Sequence, residues 1–195
     1  MLVMTLLHNI NRTLQRRRNS TWHALGYDTK IREETPADFA AVTAITHQAF
    51  DGDAEVRLVT LLRQQCPDII SLVAEQQGQI VGHILFSPAT LSTAPHYKLM
   101  ALAPMAVSNV LQHQGIGSSL VRAGLEKCRL KGADAVVVLG HPEYYPRFGF
   151  TSASKAQLRC PWPAPDEAFM LLPLQAKDIE GNNSTVVYHS AFNTL

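Results

Sequence analysis

Met105-Ala-Val-Ser-Asn-Val-Leu-Gln-His-Gln-Gly-Ile-Gly-Ser118 joins an apolar strand to a helix through a turn hinged on two glycines. Gly115 and Gly117 remove the Cβ atoms that would hold a ligand away from the backbone. The first N–H groups of the helix they open have no partner within it, and the positive end of the helix dipole lies behind them. Such a turn predicts a phosphate seat that needs no cationic side chain. An ordinary tight turn packing helix on strand is the alternative.

Outward from this turn, Ile116, Leu120, Val121, Leu125 and Cys128 put one apolar face on the helix, with Arg122, Lys127 and Arg129 on the other and Gly132 at its end. Ala135 to Leu139 is an unbroken apolar run, the pattern of a strand buried on both faces. A strand, helix, strand unit makes the two strands parallel neighbours. Upstream, the central strand spans about Tyr97 to Val107 and contains Pro104, which cannot donate to a ladder and predicts a bulge or a parting from a neighbour. If the strands part, N–H and C=O groups near Met105, Ala106 and Val107 become free to pair with an extended arm of amides. An arm of amides joined to a pyrophosphate describes coenzyme A.

Further out, Lys30 to Glu34 reads as a short strand, and Thr35-Pro36-Ala37-Asp38 as a helix start whose buried stripe is Phe39, Val42, Ile45 and Ala49. A second helix starts near Asp53, stops before Pro67 and buries Val56, Leu58, Leu61 and Leu62. Strands Ile69 to Glu75 and Gln79 to Phe86 form a hairpin at Gln76-Gln77-Gly78.

The whole chain has 195 residues, 46% hydrophobic and 17% charged, which suits one well-buried domain with an appendage. A net charge of +1 without long blocks of one sign gives no electrostatic support for nucleic-acid binding. Cys66, Cys128 and Cys160 lack paired spacing and read as buried thiols of a reducing cytoplasm. The eight histidines show no ligand spacing, so no metal is expected. Met1 to Ile10 is apolar, but Arg12, Arg16, Arg17 and Arg18 follow it without a small-residue cleavage site, and it is too short to span a bilayer. Val3, Leu6, Leu7, Ile10 and Leu14 recur at helical spacing, predicting an amphipathic helix over much of 1–29 that packs on the domain or a partner. Contact with a membrane surface or nucleic acid is the alternative.

Two rival phosphate sites are excluded. A dinucleotide fingerprint wants a third glycine where Leu120 stands, and a triphosphate loop wants Lys then Ser or Thr after its last glycine, where Ser118 stands.

Gln112-His113-Gln114-Gly115-Ile116-Gly117 resembles the acetyl-CoA signature of the GNAT N-acetyltransferase superfamily, and Tyr144-Tyr145-Pro146-Arg147-Phe148-Gly149-Phe150 is similar to its aromatic-Tyr-x-x-x-Gly-Phe segment. Leu102 to Val107 resembles its central strand, while Pro165 to Met170 and Val187 to Phe192 resemble the bacterial YhbS-like branch. The resemblance implies an α/β (α+β) fold over 30–174: a mixed central sheet with splayed parallel central strands and helices on both faces, followed by a C-terminal segment, 175–195, whose final strand packs on the domain. It implies acetyl-CoA as cosubstrate, bound by Met105, Ala106, Val107, Gln112, His113, Gln114, Gly115, Ile116, Gly117 and Ser118. It further implies direct acetyl transfer to an amine of a small molecule or protein, which fits the lack of a nucleophile motif.

Tyr145 matches the family's general acid, with Tyr144 as fallback because neighbouring strand residues face opposite ways. An ordinary phenol losing its proton to a cysteine-like thiolate is uphill by about 2 kcal/mol, which positioning can offset. An aromatic packed at a strand end is the alternative for Tyr145. Family members often carry an acidic residue on the central strand, and Leu99 to Val107 has none. Asp51, Asp53, Glu55 and Glu167 are the acceptor-site candidates, although a helix cap or solvated charge is the simpler reading of any single one. His83 and His141 read as structural hydrogen bonders. A non-catalytic acetyl-CoA sensor is the second function that fits, and a homodimer is compatible with the chain.

Overall fold

A computed structural model describes residues 28–50, 52–175 and 179–194. The predicted N-terminal helix and Asp51 lie outside the described residues. Eight strands form one sheet: β1 (Lys30–Glu33), β2 (Ile70–Gln76), β3 (Gln79–Leu91), β4 (Leu99–Val107), β5 (Ala135–Leu139), β6 (Thr151–Ser152), β7 (Phe169–Pro173) and β8 (Val186–Val187). Their order is β1-β2-β3-β4-β5-β7-β6, with β8 paired to the far end of β3. Only β4 and β5 run parallel among these pairs; the others are antiparallel.

Three helices cover the sheet: α1 (Phe39–Phe50), α2 (Ala54–Gln65) and α3 (Ile116–Leu130). On one face α3 packs against β1 to β4 and closes a core containing Leu72, Ile84, Phe86, Leu102, Leu120, Val136 and Met170. On the other face α1 lies over β3 and β4, and α1, α2 and the short helical turn at 190–194 enclose Val42, Leu58, Val59, Leu62, Leu85 and Phe192. This face continues under β5 and β7 as a core of Ala101, Val137, Leu158, Phe169 and Val186. The sheet is mixed, its parallel centre is flanked by helices on both sides, and both of its faces are apolar, as Ala135 to Leu139 foretold.

Two predicted stripes are rotated. Phe39 is exposed and carries the Arg63 guanidinium over its ring at 4.1 Å, so it shields an ion pair rather than entering the core. On α2 the buried residues are Glu55, Leu58, Val59 and Leu62, while Val56 and Leu61 are only half-buried. The periodicity fixes a helix, but a small rotation about its axis exchanges neighbouring positions across the edge of the stripe.

At Asp38 the helix start is tied down more firmly than its sequence shows. The carboxylate accepts the Thr35 N–H at 2.8 Å and both ends of the Arg32 guanidinium at 2.7 and 2.9 Å. The Arg32 hydrogen bond holds its pKa far below the ordinary carboxylate range, against the opposing effect of burial.

Opposite β3, β4 carries the predicted irregularity in both forms. Ile84 faces Met105 and Phe86 faces Leu102, so Ala103 and Pro104 together oppose Leu85. The peptide between them is cis. An extra residue reverses the alternation of side chains. Met100 and Leu102 face α3 before the bulge, and beyond it Met105 and Val107 face that helix while Ala106 lies opposite His83. On the other edge, pairing with β5 runs from Leu99 to Leu102 and stops. The central strands therefore splay from Ala103 onward.

Candidate functional site

The splay and the glycine turn meet at Gly117. A Cβ built there would stand 2.8 Å from the Tyr144 hydroxyl and 3.7 Å from both Met105 Cε and Val107 Cγ2. A side chain at 117 would meet β4 only at ordinary contact distance, but it would displace the Tyr144 hydroxyl from the helix start. Gly115, with φ +88°, caps the helix in a left-handed conformation, and its carbonyl receives the first intrahelical bond from Ser119 N–H at 2.9 Å. The N–H groups of Ile116, Gly117 and Ser118 consequently precede the helical ladder.

Along β4 the hydrogen-bond phase adds a second row of backbone groups. Ser108 N–H donates to Val81 C=O at 2.9 Å, which turns the backbone of Ala106 towards β3 and that of Met105 and Val107 away from it. On their other side β5 has already departed. Gln112 donates through Nε2 to Val107 C=O at 3.3 Å and to Asn109 Oδ1 at 3.1 Å, so its amide braces the strand end. His113 is exposed and adopts φ +63°, while Gln114 is half-buried. The turn thus offers backbone donors at the helix start and amide groups in the splay, a pattern that fits a pyrophosphate followed by an extended amide arm.

Tyr144 and Tyr145 stand at the other wall, on a short helical turn after β5 and not on a strand. Their rings meet edge to face at 5.1 Å, and because neither stands on a strand, the alternation of strand side chains does not decide between them. The Tyr145 ring lies against Gly140, where a Cβ would come within 2.3 Å of its edge, and meets Phe150 at 5.6 Å. Burial raises the Tyr145 phenol far above its ordinary range, with Tyr144 adding to the effect. Tyr145 keeps its proton at any physiological pH. Tyr144 is half-buried, with its hydroxyl at the glycine turn and Arg147 over its ring at 4.7 Å.

The acceptor-site candidates separate. Asp53 is exposed, lies 3.5 Å from His47 Nε2 and accepts the Arg57 N–H through its backbone carbonyl at 2.8 Å, the behaviour of a helix cap. Glu167 is exposed on the turn at 166–168. A cleft of about 360 Å³ beside it is lined by Arg159, Cys160, Trp162, Asp166 and Phe169 among others, without Glu167. Glu55 is 4% exposed, and its Oε2 has no hydrogen-bond partner. Burial pushes this carboxyl above its ordinary pKa.

His83 belongs to a closed network. Arg63 pairs with Glu34, Ser71 Oγ donates to Glu34 Oε2 at 2.7 Å, and His83 Nε2 lies 2.8 Å from Ser71 Oγ. Since a carboxylate only accepts, the Ser71 proton is committed to it and His83 must be the Nε2–H tautomer. Burial, aided by the Arg63 charge, lowers its pKa to about 3. His141 is also lowered, by burial, against the opposing charge of Glu143.

All three cysteines are free; Cys66 and Cys128 are buried, while Cys160 is only half-buried. Burial raises all three, Cys128 to about 12, which removes them as ready nucleophiles. Among the described residues no three His, Cys, Asp or Glu gather as a metal group, and no helix is long and apolar enough to cross a membrane.

Trp162 and Tyr188 were not singled out from the sequence. Their rings meet at 4.6 Å with their planes tilted by 50°, and Phe192 joins them 5.0 Å from Tyr188. Tyr188 lies within the Val187 to Phe192 segment that resembles the bacterial branch, and Trp162 within no motif.

Comparison with known proteins agrees with this geometry. The acetyltransferase (GNAT) family profile matches residues 38–150. The uncharacterized N-acetyltransferase YhbS of Escherichia coli (strain K12) is 37% identical over 164 residues, covering 84% of this chain and 98% of YhbS. A crystal structure of YhbS from Escherichia coli in complex with CoA superposes with TM-score 0.80 at 33% identity, covering 91% of this chain and 96% of that one. A GNAT family acetyltransferase from Brucella melitensis in complex with acetyl-CoA gives TM-score 0.69 at 34% identity, covering 85% and 99%.

Proposed function

Because this chain belongs to the GNAT acetyltransferase family, we propose that it moves the acetyl group of acetyl-CoA directly onto an amine in a ternary complex. The observation that carries this reading is the row of backbone groups of Met105 and Val107, released by the bulge and the departure of β5, leading to the Gly115–Ser118 turn. Met105 and Val107 would pair with the amide arm, and the N–H groups of Ile116, Gly117 and Ser118 would hold the pyrophosphate. Two relatives crystallised with CoA or acetyl-CoA support the same ligand here.

When bound, acetyl-CoA supplies a thioester carbonyl activated towards an amine. The protein's part is to position that carbonyl, polarise it with strand N–H groups and keep a proton at the Tyr145 hydroxyl for the departing sulfur. Direct transfer is supported by the raised thiols of Cys66, Cys128 and Cys160, none of which stands at the splay.

Acetyl-CoA at about 100 times its dissociation constant is expected to stabilise the fold by about 2.7 kcal/mol, a rise in melting midpoint of roughly 5–10 °C. The companion measurement is CoA thiol release against amino acids, polyamines, aminoglycosides and lysine peptides. Absence of a thermal shift sinks the reading; a shift without turnover of any amine converts it to a CoA-binding module.

A further inference from the structure

The cleft of about 360 Å³ between the 153–160 segment and the 162–166 loop contains none of the groups that would hold acetyl-CoA. One wall of it runs from Arg159 to Trp162. Arg159 bridges Thr185 in parallel, and Trp162 meets the Tyr188 ring at 4.6 Å. Both segments advance three residues between those contacts, about 10 Å of extended chain. From Thr185 to Tyr188 the chain runs antiparallel to β3, because Val186 pairs with Leu91 and Val187 with Thr90. It therefore heads along β3 towards Leu85, which lies opposite the bulge of β4. Arg159 marks the end of the cleft far from the splay, and Trp162 the end nearer to it.

The near end adjoins the place where the thioester would lie. Phe169, which lines the cleft, pairs with Leu139 at the end of β5. Gly140 N–H then donates to Ala168 C=O at 2.9 Å, and the Tyr145 ring lies against Gly140. Ala103, where the splay begins, and Trp162 both pack against the core of Val42, Leu58, Leu85 and Phe192. An amide arm paired first with Val107 and then with Met105 carries its sulfur towards Ala103.

Opposite charges stand at the two ends. Arg159 is exposed, donates to Asn183 Oδ1 at 3.3 Å and has no carboxylate partner among the described residues. Asp166 opens the turn that leads to Ala168 and Phe169, and its carboxylate has no cationic partner among the described residues. Between them Leu158, Trp162, Pro163 and Phe169 supply apolar walls. Behind the wall the Tyr188 hydroxyl is buried without a hydrogen-bond partner, near enough to Cys160 for a charge there to act on it. A buried hydroxyl left open implies a water or a ligand atom. Thr46 Oγ1 and Ser87 Oγ are also unpaired, but neither lines the cleft.

This arrangement selects among amines. A polyamine would set a second cation against Arg159, and a plain alkylamine would leave that guanidinium unanswered. A carboxylate at one end, an amine at the other and methylene groups between them satisfy all three parts of the cleft.

We propose that the cleft receives the acetyl acceptor and selects an amino acid whose amine and carboxylate stand several bonds apart. Arg159 is the specificity-determining residue for the carboxylate, and Asp166 draws the amine towards the splay. The inference rests on the acetyltransferase reading. In the transfer the ammonium first gives one proton to water. The nitrogen lone pair then bonds to the acetyl carbon as the carbon–sulfur bond breaks, sulfur takes the Tyr145 proton, and the second nitrogen proton returns to the Tyr145 oxygen through water.

The probes are 6-aminohexanoate and hexylamine, which differ only in carrying a carboxylate or a methyl group at the far end. Wild type is expected to favour 6-aminohexanoate in kcat/KM at least about 10-fold, and Arg159→Gln to lower that preference by about 10–100-fold. Arg159→Lys, which keeps the charge, should restore part of it. Equal use of the two amines by wild type, or an unchanged preference in Arg159→Gln, overturns the proposal while the acetyltransferase reading stands. If wild type turns over no amine, that reading has failed, and calorimetric titration of the CoA-saturated protein with 6-aminohexanoate decides the rest. Binding that weakens in Arg159→Gln upholds the selectivity of the cleft; absence of binding overturns it as well.

Discussion

Replacing Tyr145 by phenylalanine is expected to reduce kcat by about 10²–10³-fold while acetyl-CoA still stabilises the protein. The ring contacts with Gly140, Tyr144 and Phe150 survive in the variant, so only the hydroxyl is removed. Burial holds the Tyr145 proton more tightly than in a free phenol. Complete transfer to sulfur is therefore more uphill than the roughly 2 kcal/mol of an ordinary tyrosine and thiol. The hydroxyl acts best as a hydrogen-bond donor that strengthens as negative charge gathers on sulfur. Tyr144→Phe provides the contrast, because its hydroxyl lies against Gly117 and its loss should raise KM for acetyl-CoA more than it lowers kcat. Steady-state kinetics on both variants decide the assignment. Retention of kcat within a few-fold in Tyr145→Phe would remove that hydroxyl from the chemistry.

Acid is expected to weaken the fold earlier than carboxylate titration alone would. Unfolded, His83 protonates near its ordinary pKa of 6.5; folded, it holds out to about 3. Between these values the unfolded chain binds a proton that the native protein refuses, so stability falls as the pH falls. The loss attributable to His83 is about 3 kcal/mol by pH 4 and about 4 kcal/mol at pH 3. Asp38 adds to it at lower pH: its folded pKa is depressed by Arg32, so its contribution is full above about 4 and is lost as the pH drops further. Urea denaturation at pH 7, 5 and 4 measures this directly, and His83→Gln should flatten the slope between 6.5 and 4. A wild-type protein equally stable at pH 7 and pH 4 would contradict the buried neutral histidine.

The centre of the fold was readable because its signals are local. Gly115-Ile116-Gly117 and Ala135 to Leu139 announce a turn, a helix start and a doubly buried strand within a few residues each. Pro104 announced an irregularity, and the structure joins its two expected forms, since the bulge against β3 and the end of pairing with β5 fall at the same place. Helix rotation was less legible. Val56 and Leu61 outrank Glu55 and Val59 in apolarity as a pair, yet α2 turns Glu55 inward because α1 and the 190–194 turn cover that side. Glu55 was one acidic candidate among several, and only burial sets it apart from Asp53 and Glu167. Thr46 and Ser87 carry no motif at all, and Tyr188 only the resemblance of Val187 to Phe192. Ser87 and Tyr188 share one face of the sheet through the register of β8 on β3, a contact between segments nearly a hundred residues apart.

The displaced register of β4 also governs how the sheet trades its protons with solvent. Ala106 points its amide into the ladder with β3, whereas the amides of its neighbours, Met105 and Val107, open into the gap left by β5. In deuterium these two should exchange on the timescale of a loop although they sit in the middle of an eight-stranded sheet, and slow once an amide arm docks. The most interior strand of the molecule thereby carries a built-in report of whether its groove is filled.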